Sequence, residues 1–293
     1  MKKTHGVHNL FQVLNYAVLA IIGIVTIYPF LYVLTISLLP TEEYLKGGIF
    51  LFPTKFSIES YKYIFQNEFI YIAFKSSAII TVLGTFVNLA LTTLAAYAMS
   101  KTFLKGYKFF INFFIFTMYF SGGLVPYYLL IKGLHLMDSY WAVILTGAVS
   151  TYYMLIMRSF FLGIPVSLEE AAIIDGATEV FVLIKIILPL SLPVMAAMGL
   201  FYAVDRWNSF FYPLIFLNDR KMWPIQVILR EMLFESTEFM RSSAIASKES
   251  MGAKLGISLK MATIVFAIFP IAIVYPFLQK YFVKGVMLGA VKA

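Results

Sequence analysis

An all-α, polytopic membrane protein is the fold class this sequence predicts, and three observations predict it. Of its 293 residues, 61% are hydrophobic and the mean hydropathy is +0.85, more apolar surface than a soluble domain of this size can hide. Lys, Arg, Asp and Glu are absent from 4–41, 76–100, 109–131, 139–157, 186–204, 207–218 and 261–279, and a membrane-crossing helix needs about 20 apolar residues. The runs do not alternate apolar with polar residues, which removes the β-barrel, the other structure that can satisfy its backbone in lipid.

Taken in order, the runs predict six transmembrane helices at roughly 13–39, 72–99, 109–131, 140–160, 190–217 and 261–280. The long run 186–218 is interrupted only by Asp205 and Arg206, and a re-entrant break inside it would make seven. The first run is too long for a secretory signal and lacks a small-x-small exit, so it reads as an uncleaved helix. Lys2 and Lys3 open the chain, Lys101, Lys105 and Lys108 crowd one short loop, and Lys280, Lys284 and Lys292 close it. Short-loop lysines mark the inner side, so both termini are expected inside. Residues 1–71 then hold the first helix and first external loop, 72–283 the transmembrane core, and 284–293 a cytosolic tail. The long external loop 218–259 carries Ile225, Ile228, Leu229, Met232 and Leu233 at helical intervals, the pattern of a helix lying flat on the membrane. Glycines in "SGGLVP", 121–126, read as the outer end of the third helix, where they permit a bend or close packing. The excess of Phe and Tyr reads as lipid-facing bulk and interfacial belt.

The formal charge of +8 is spread between the spans with no basic patch, so it speaks for topology and against nucleic acid. There is no cysteine, which removes disulfides, thiolate metal sites and cysteine nucleophiles. His5, His8 and His135 are the three histidines; His5 and His8 could chelate in principle but read as a frayed N-terminal tail, and since all three lie outside the spans no nucleophile–base–acid set can be assembled from them. "MGAKLGISLK", 251–260, lacks the spacing of a nucleotide-binding loop. No catalytic residue, metal ligand or cofactor site is therefore assigned to this chain.

One segment breaks the apolar pattern. "SLEEAAIIDGATEVFVLIKIILPL", 167–190, carries Glu169, Glu170, Asp175 and Glu179, four of only fifteen acids. Ser167 with Glu170 three residues on forms a capping-box sequence, and acids in a first turn suit the helix dipole. Leu168, Ala171, Ala172 and Asp175 share a stripe, and the small Ala171–Ala172 face would let another surface come close. Gly176 suits a left-handed stop, and Thr178 can cap a following helix that runs to Pro189. A short cytosolic helix at about 167–177, between the fourth and fifth spans, is expected.

"EAAIIDGATEVFVLIKIILP", 170–189, resembles the signature of bacterial binding-protein-dependent ABC importer permeases: Glu-Ala-Ala, three residues, Gly, nine residues, Ile-x-Leu-Pro. "FSGGLVPYYLLIKGLHLMDSYWAVIL", "RSFFLGIPVSLEEAAIIDGA", "WNSFFYPLIF" and "QKYFVKGVMLGAVKA" are similar to the carbohydrate-importing branch, and "PIQVILREML", 224–233, to permeases for complex oligosaccharides. The resemblance implies that the acidic segment is a coupling helix that docks on a dimeric ABC ATPase through Ser167, Glu169, Glu170, Ala171, Ala172, Asp175 and Gly176. It implies three further associations: a second homologous permease, an extracellular solute-binding lipoprotein and an oligosaccharide substrate. ATP and Mg would be bound by the partner ATPase, in a bacterial plasma membrane.

Charges inside a span are functional candidates because lipid burial is costly. Asp205, Arg206, Trp207, Asn208, Phe211 and Tyr212 offer carboxylate, amide and aromatic groups of the kind that grip sugars, with Asp205, Asn208 and Tyr212 at i, i+3, i+7. The structural alternative pairs Asp205 and Arg206 with neighbouring helices, including those of a second permease, and Arg206 would suit an anionic sugar. The charged pair itself departs from the family pattern. Transport of complex polysaccharide fragments is the function expected. An ion-coupled carrier, an ABC permease for a non-carbohydrate solute and a non-transporting scaffold are the competing readings.

Overall fold

The computed structural model describes residues 3–48, 50–53, 55–232 and 251–290, and every regular element among them is helical. The chain forms two compact units, Met1–Glu68 with Glu231–Phe269, and Phe69–Arg230 with Pro270–Ala293.

The first unit contains α1 (Lys3–Ser37), α2 (Thr41–Leu45) and α3 (Glu59–Gln66). Phe11–Ser37 of α1 is long and apolar enough to cross a membrane, and none of its apolar window is buried within the chain. At its end Ile36, Leu39 and Phe50 form a small core with Ile257 and Met261. Polar ties replace the missing bulk: Ser37 Oγ meets Tyr61 Oη at 2.7 Å, and Ser258 Oγ donates to the Leu39 carbonyl at 2.6 Å. Glu43 accepts from Lys46 and Lys55 at 2.7 and 2.6 Å, and these two ammonium groups hold its carboxyl below the usual range.

The second unit is built on α4 (Glu68–Ser100), the second helix able to span by itself. Its last turns pack Ala96, Tyr97 and Met99 against Met154, Met157 and Phe161 of α8 (Thr151–Leu162). The same core takes Val182, Leu183 and Ile187 from α10 (Glu179–Val182) and the widened π-turn Leu183–Ile187 after it. Val194 and Met198 of α12 (Leu192–Trp207) complete it. The π-turn has a local cause. Pro189, in α11 (Leu188–Leu190), has no N–H for the carbonyl one turn back and its ring crowds that oxygen, so the helix opens before it. The third helix able to span alone is Gly256–Pro276 of α15 (Met251–Ala290), which kinks at Gly256.

Three expected spans are broken. Residues 109–131 divide into α5 (Tyr107–Tyr119) and α6 (Leu124–Gly133), bent by 116°; Gly123, at φ +87°, makes the corner in a conformation that disfavours a side chain. Residues 140–160 divide into α7 (Tyr140–Leu145) and α8, with Ser139 and Ser150 accepting from the first-turn N–H groups of Trp141 and Tyr153. Residues 190–217 divide at Asn208–Phe210 between α12 and α13 (Phe211–Phe216), and Glu179–Leu190 meets Leu192–Trp207 at 85°. Counted by length and composition, three to six spans result.

The helix expected to lay its apolar face on the membrane buries that face on the protein. Residues 225–232 form α14, and Ile225, Val227 and Ile228 are buried. The Ile225 N–H donates to Ser77 Oγ of α4 at 2.8 Å, so this apolar face packs on protein. Leu233 falls outside the described residues.

Candidate functional site

The acidic segment forms α9 (Val166–Ile174). It starts two residues earlier than the capping-box sequence predicts. Pro165 occupies the cap position, with no side chain capping the turn, and Ser167 lies inside the first turn. A proline just ahead of the helix pre-sets its entry and takes the place of the serine cap. Glu170 therefore sits at the fifth helical position, past the first turn, and is exposed.

The far end follows the expectation closely. Gly176 has φ +86°; its N–H donates to the Ile173 carbonyl at 3.0 Å and the Ala177 N–H to the Ala172 carbonyl at 2.9 Å, the paired bonds of a Schellman stop. Thr178 Oγ1 then accepts from the Phe181 N–H at 3.3 Å and opens α10. The result is a helical hairpin whose tip presents Ile174, 84% exposed, beside Ile173, Ala171 and Asp175. The expected Ala171–Ala172 docking face is divided: Ala171 is exposed, whereas Ala172 packs on this chain's own core.

The two remaining acids turn inward to α4. Lys101 Nζ, just past the end of α4, donates to Glu169, and both side chains are largely shielded. Burial pulls the Lys101 ammonium below the usual lysine range, with the Glu179 carboxylate acting in the opposite sense. The same ammonium lies 4.5 Å above the Tyr97 ring, a cation–π contact. Tyr97 Oη donates to Glu179 Oε2 at 2.8 Å. Nearby, Arg158 of α8 donates through Nε to the Met99 carbonyl at 2.7 Å and through its second nitrogen to Tyr107 Oη. Each base of the hairpin is thus fastened to the same end of α4.

The residues expected along a substrate path separate. Arg206 is only 8% exposed and donates to the carbonyls of Val143, Ile144 and Thr146 at 2.8, 3.0 and 2.8 Å. These are the unpaired oxygens left where α7 ends inside a broken span. With its amide oriented by its surroundings, Asn88 accepts from Arg206 at 2.6 and 2.8 Å and donates to the Gly84 carbonyl at 3.1 Å. Gly84 leaves the room: a Cβ there would lie 3.2 Å from the Arg206 side chain. Arg206, expected along the substrate path, is thus engaged by this chain's own backbone. Trp207 is likewise buried, edge-on to Phe74 at 5.4 Å.

Asp205 faces the other way. It is exposed, and Tyr153 Oη donates to its Oδ2 at 2.9 Å. Tyr153 stacks on Phe201 at 5.6 Å and meets Tyr202 edge-on at 4.9 Å. The Tyr202 hydroxyl lies 2.6 Å from Thr92 Oγ1 of α4 and accepts from the Ser150 N–H at 2.9 Å. Asn208, at the α12 C-cap, is exposed on the turn above Asp205. The expected stripe stops there, because the helix breaks before Tyr212. Tyr212 stacks instead on Phe216 at 5.9 Å, with Phe211 edge-on at 5.5 Å. Sequence reasoning missed Tyr153 and Tyr202, which it read with the aromatic excess, Thr92, to which it gave no reading, and Lys101, which it read only as a marker of sidedness.

No protein-family model matches the chain, but whole-length relatives do. It is 41% identical over 285 residues to the polygalacturonan/rhamnogalacturonan transport system permease protein YtcP of Bacillus subtilis (strain 168), covering 97% of this chain and 99% of that protein. It is also 41% identical to protein LplC of the same organism, with both chains covered in full. Among solved structures it resembles a chain of a bacterial ABC transporter involved in the import of the acidic polysaccharide alginate. The TM-score is 0.86, with 28% identity over 94% of this chain and 97% of that one.

Proposed function

The chain belongs to the sugar ABC transporter permeases, integral membrane subunits, and on that premise we propose that it is one permease of an ATP-driven importer of polysaccharide fragments, acidic ones included, in a bacterial plasma membrane. It crosses six times with both termini inside; the crowded lysines of the 101–108 loop support that orientation. It pairs with a second homologous permease, and an extracellular solute-binding lipoprotein delivers the oligosaccharide. The hairpin tip around Ile174 and Gly176 docks on a dimeric ABC ATPase, which binds ATP and Mg and performs the hydrolysis.

The observation that carries this reading is the hairpin itself. A strongly exposed Ile174 on a rigidly capped, inwardly fastened helix is costly to leave in water and calls for an apolar partner surface. Asp205 supports the transport half. A carboxylate exposed on a membrane-crossing helix is costly against hydrocarbon, so it borders the polar path with Tyr153 and Asn208 beside it.

Uptake of labelled oligogalacturonide and arabino-oligosaccharide mixtures by cells carrying or lacking the gene tests the proposal. Uptake should depend on the gene, fall when arsenate lowers ATP, and persist under a protonophore that spares ATP. Uptake that stops with the protonophore while ATP stays high would identify an ion-coupled carrier instead.

A further inference from the structure

The end of α4 holds both arms of the hairpin, and α4 also holds the polar network of α12. Tyr97 and Lys101 are four residues apart, so they share one face of the helix end. They engage Glu179 and Glu169, which lie on opposite sides of the Gly176 turn. Farther back, Thr92 meets the Tyr202 hydroxyl, and Asn88 and Gly84 meet Arg206. Gly84, Asn88 and Thr92 recur every four residues along one stripe of the same helix. From Lys101 to Gly84 a helix extends about 25 Å.

We infer that Lys101 and Tyr97 are positioning residues that grip the acidic hairpin, and that α4 carries its displacement to the Asp205 face of α12. The inference rests on the hairpin being the ATPase-docking element. Physically, the grip is stiff in both directions. An ion pair shielded from water is screened little by salt, and a hydroxyl–carboxylate bond is among the stronger hydrogen bonds. Pushing or pulling on the tip moves Glu169 and Glu179 together, and α4 must follow or the two bonds must break. Without the grip, the hairpin still presents Ile174 but slides against the core.

The test is a charge exchange in the full transporter, isolated through a tag on this chain. Lys101→Glu should keep the ATPase subunits and hydrolyse Mg-ATP within about threefold of wild type. Cellular uptake of the labelled oligosaccharide mixture should nevertheless fall by tenfold or more. The double exchange, K101E with E169K, should restore uptake to within about threefold, and Tyr97→Phe, which removes only the hydroxyl, should lower it severalfold. Normal uptake in Lys101→Glu, loss of the ATPase from it, or a double variant no better than Lys101→Glu would overturn the grip. Ile174→Asp separates the premise: it should release the ATPase, and retention of the ATPase would sink the docking surface itself.

Discussion

Arg206 occupies a position where hydrocarbon disfavours any charge, and its surroundings give the reason. Backbone that leaves helical geometry at membrane depth must find partners inside the protein. The α7–α8 break leaves carbonyls that no N–H can reach, and the guanidinium, with its planar fork of donors, binds three of them. Each buried carbonyl left unsatisfied costs about 1–3 kcal/mol. Arg206→Met should therefore destabilise the chain by roughly 2–5 kcal/mol, read as a lower unfolding midpoint in detergent, and Arg206→Lys should recover only part of it. Asp205→Ala and Asn208→Ala, on the exposed face, should leave that midpoint nearly unchanged while reducing uptake. Equal melting of Arg206→Met and Asp205→Ala would contradict the division of roles between these adjacent residues.

At the scale of elements, the unbroken spans were legible because they depend only on the absence of charge over long runs, as in 4–41 and 76–100. The stop at Gly176 and the cap at Thr178 were legible because their signals are local and strong. The glycines of 121–126 announced a possible bend, and a re-entrant break inside 186–218 was an open alternative. The breaks at 146–150 and Asn208–Phe210 could not be placed, since uncharged composition continues through each of them. What permits the break at 146–150 is Arg206, about sixty residues away in sequence, and no window reaches that far. The start of α9 was misplaced because Pro165 and Ser167 both signal a helix entry and only one can provide it. What covers the face of α14 was not legible for a related reason: an apolar helical face looks the same against lipid as against Ser77 and its neighbours. Gly176 gives this scale its prediction. A side chain at φ +86° costs about 1–2 kcal/mol, so Gly176→Ala should loosen the hairpin end and speed amide exchange at Ala177 about tenfold. Unchanged exchange would mean the turn does not hold the hairpin.

Over the whole molecule, two demands are met by different parts of one chain. The apolar surface of α1, Phe11–Ser37, and its counterparts place the protein in lipid. The charged and tyrosine-rich contacts of the second unit are spent internally, on broken helices and on the hairpin, leaving Ile174, Glu170 and Asp175 at one tip and Asp205 with Asn208 on one helix face. On the proposed function, the tip is where this subunit receives work and the Asp205 face is where it meets sugar.

Because the chain contains no cysteine, a single Ile174→Cys substitution reports on that tip without background from this subunit. A membrane-impermeant maleimide should label it in inside-out vesicles stripped of the ATPase, fail to label it when the ATPase is rebound, and fail in right-side-out vesicles. Labelling from the outer face, or labelling indifferent to the ATPase, would contradict the account.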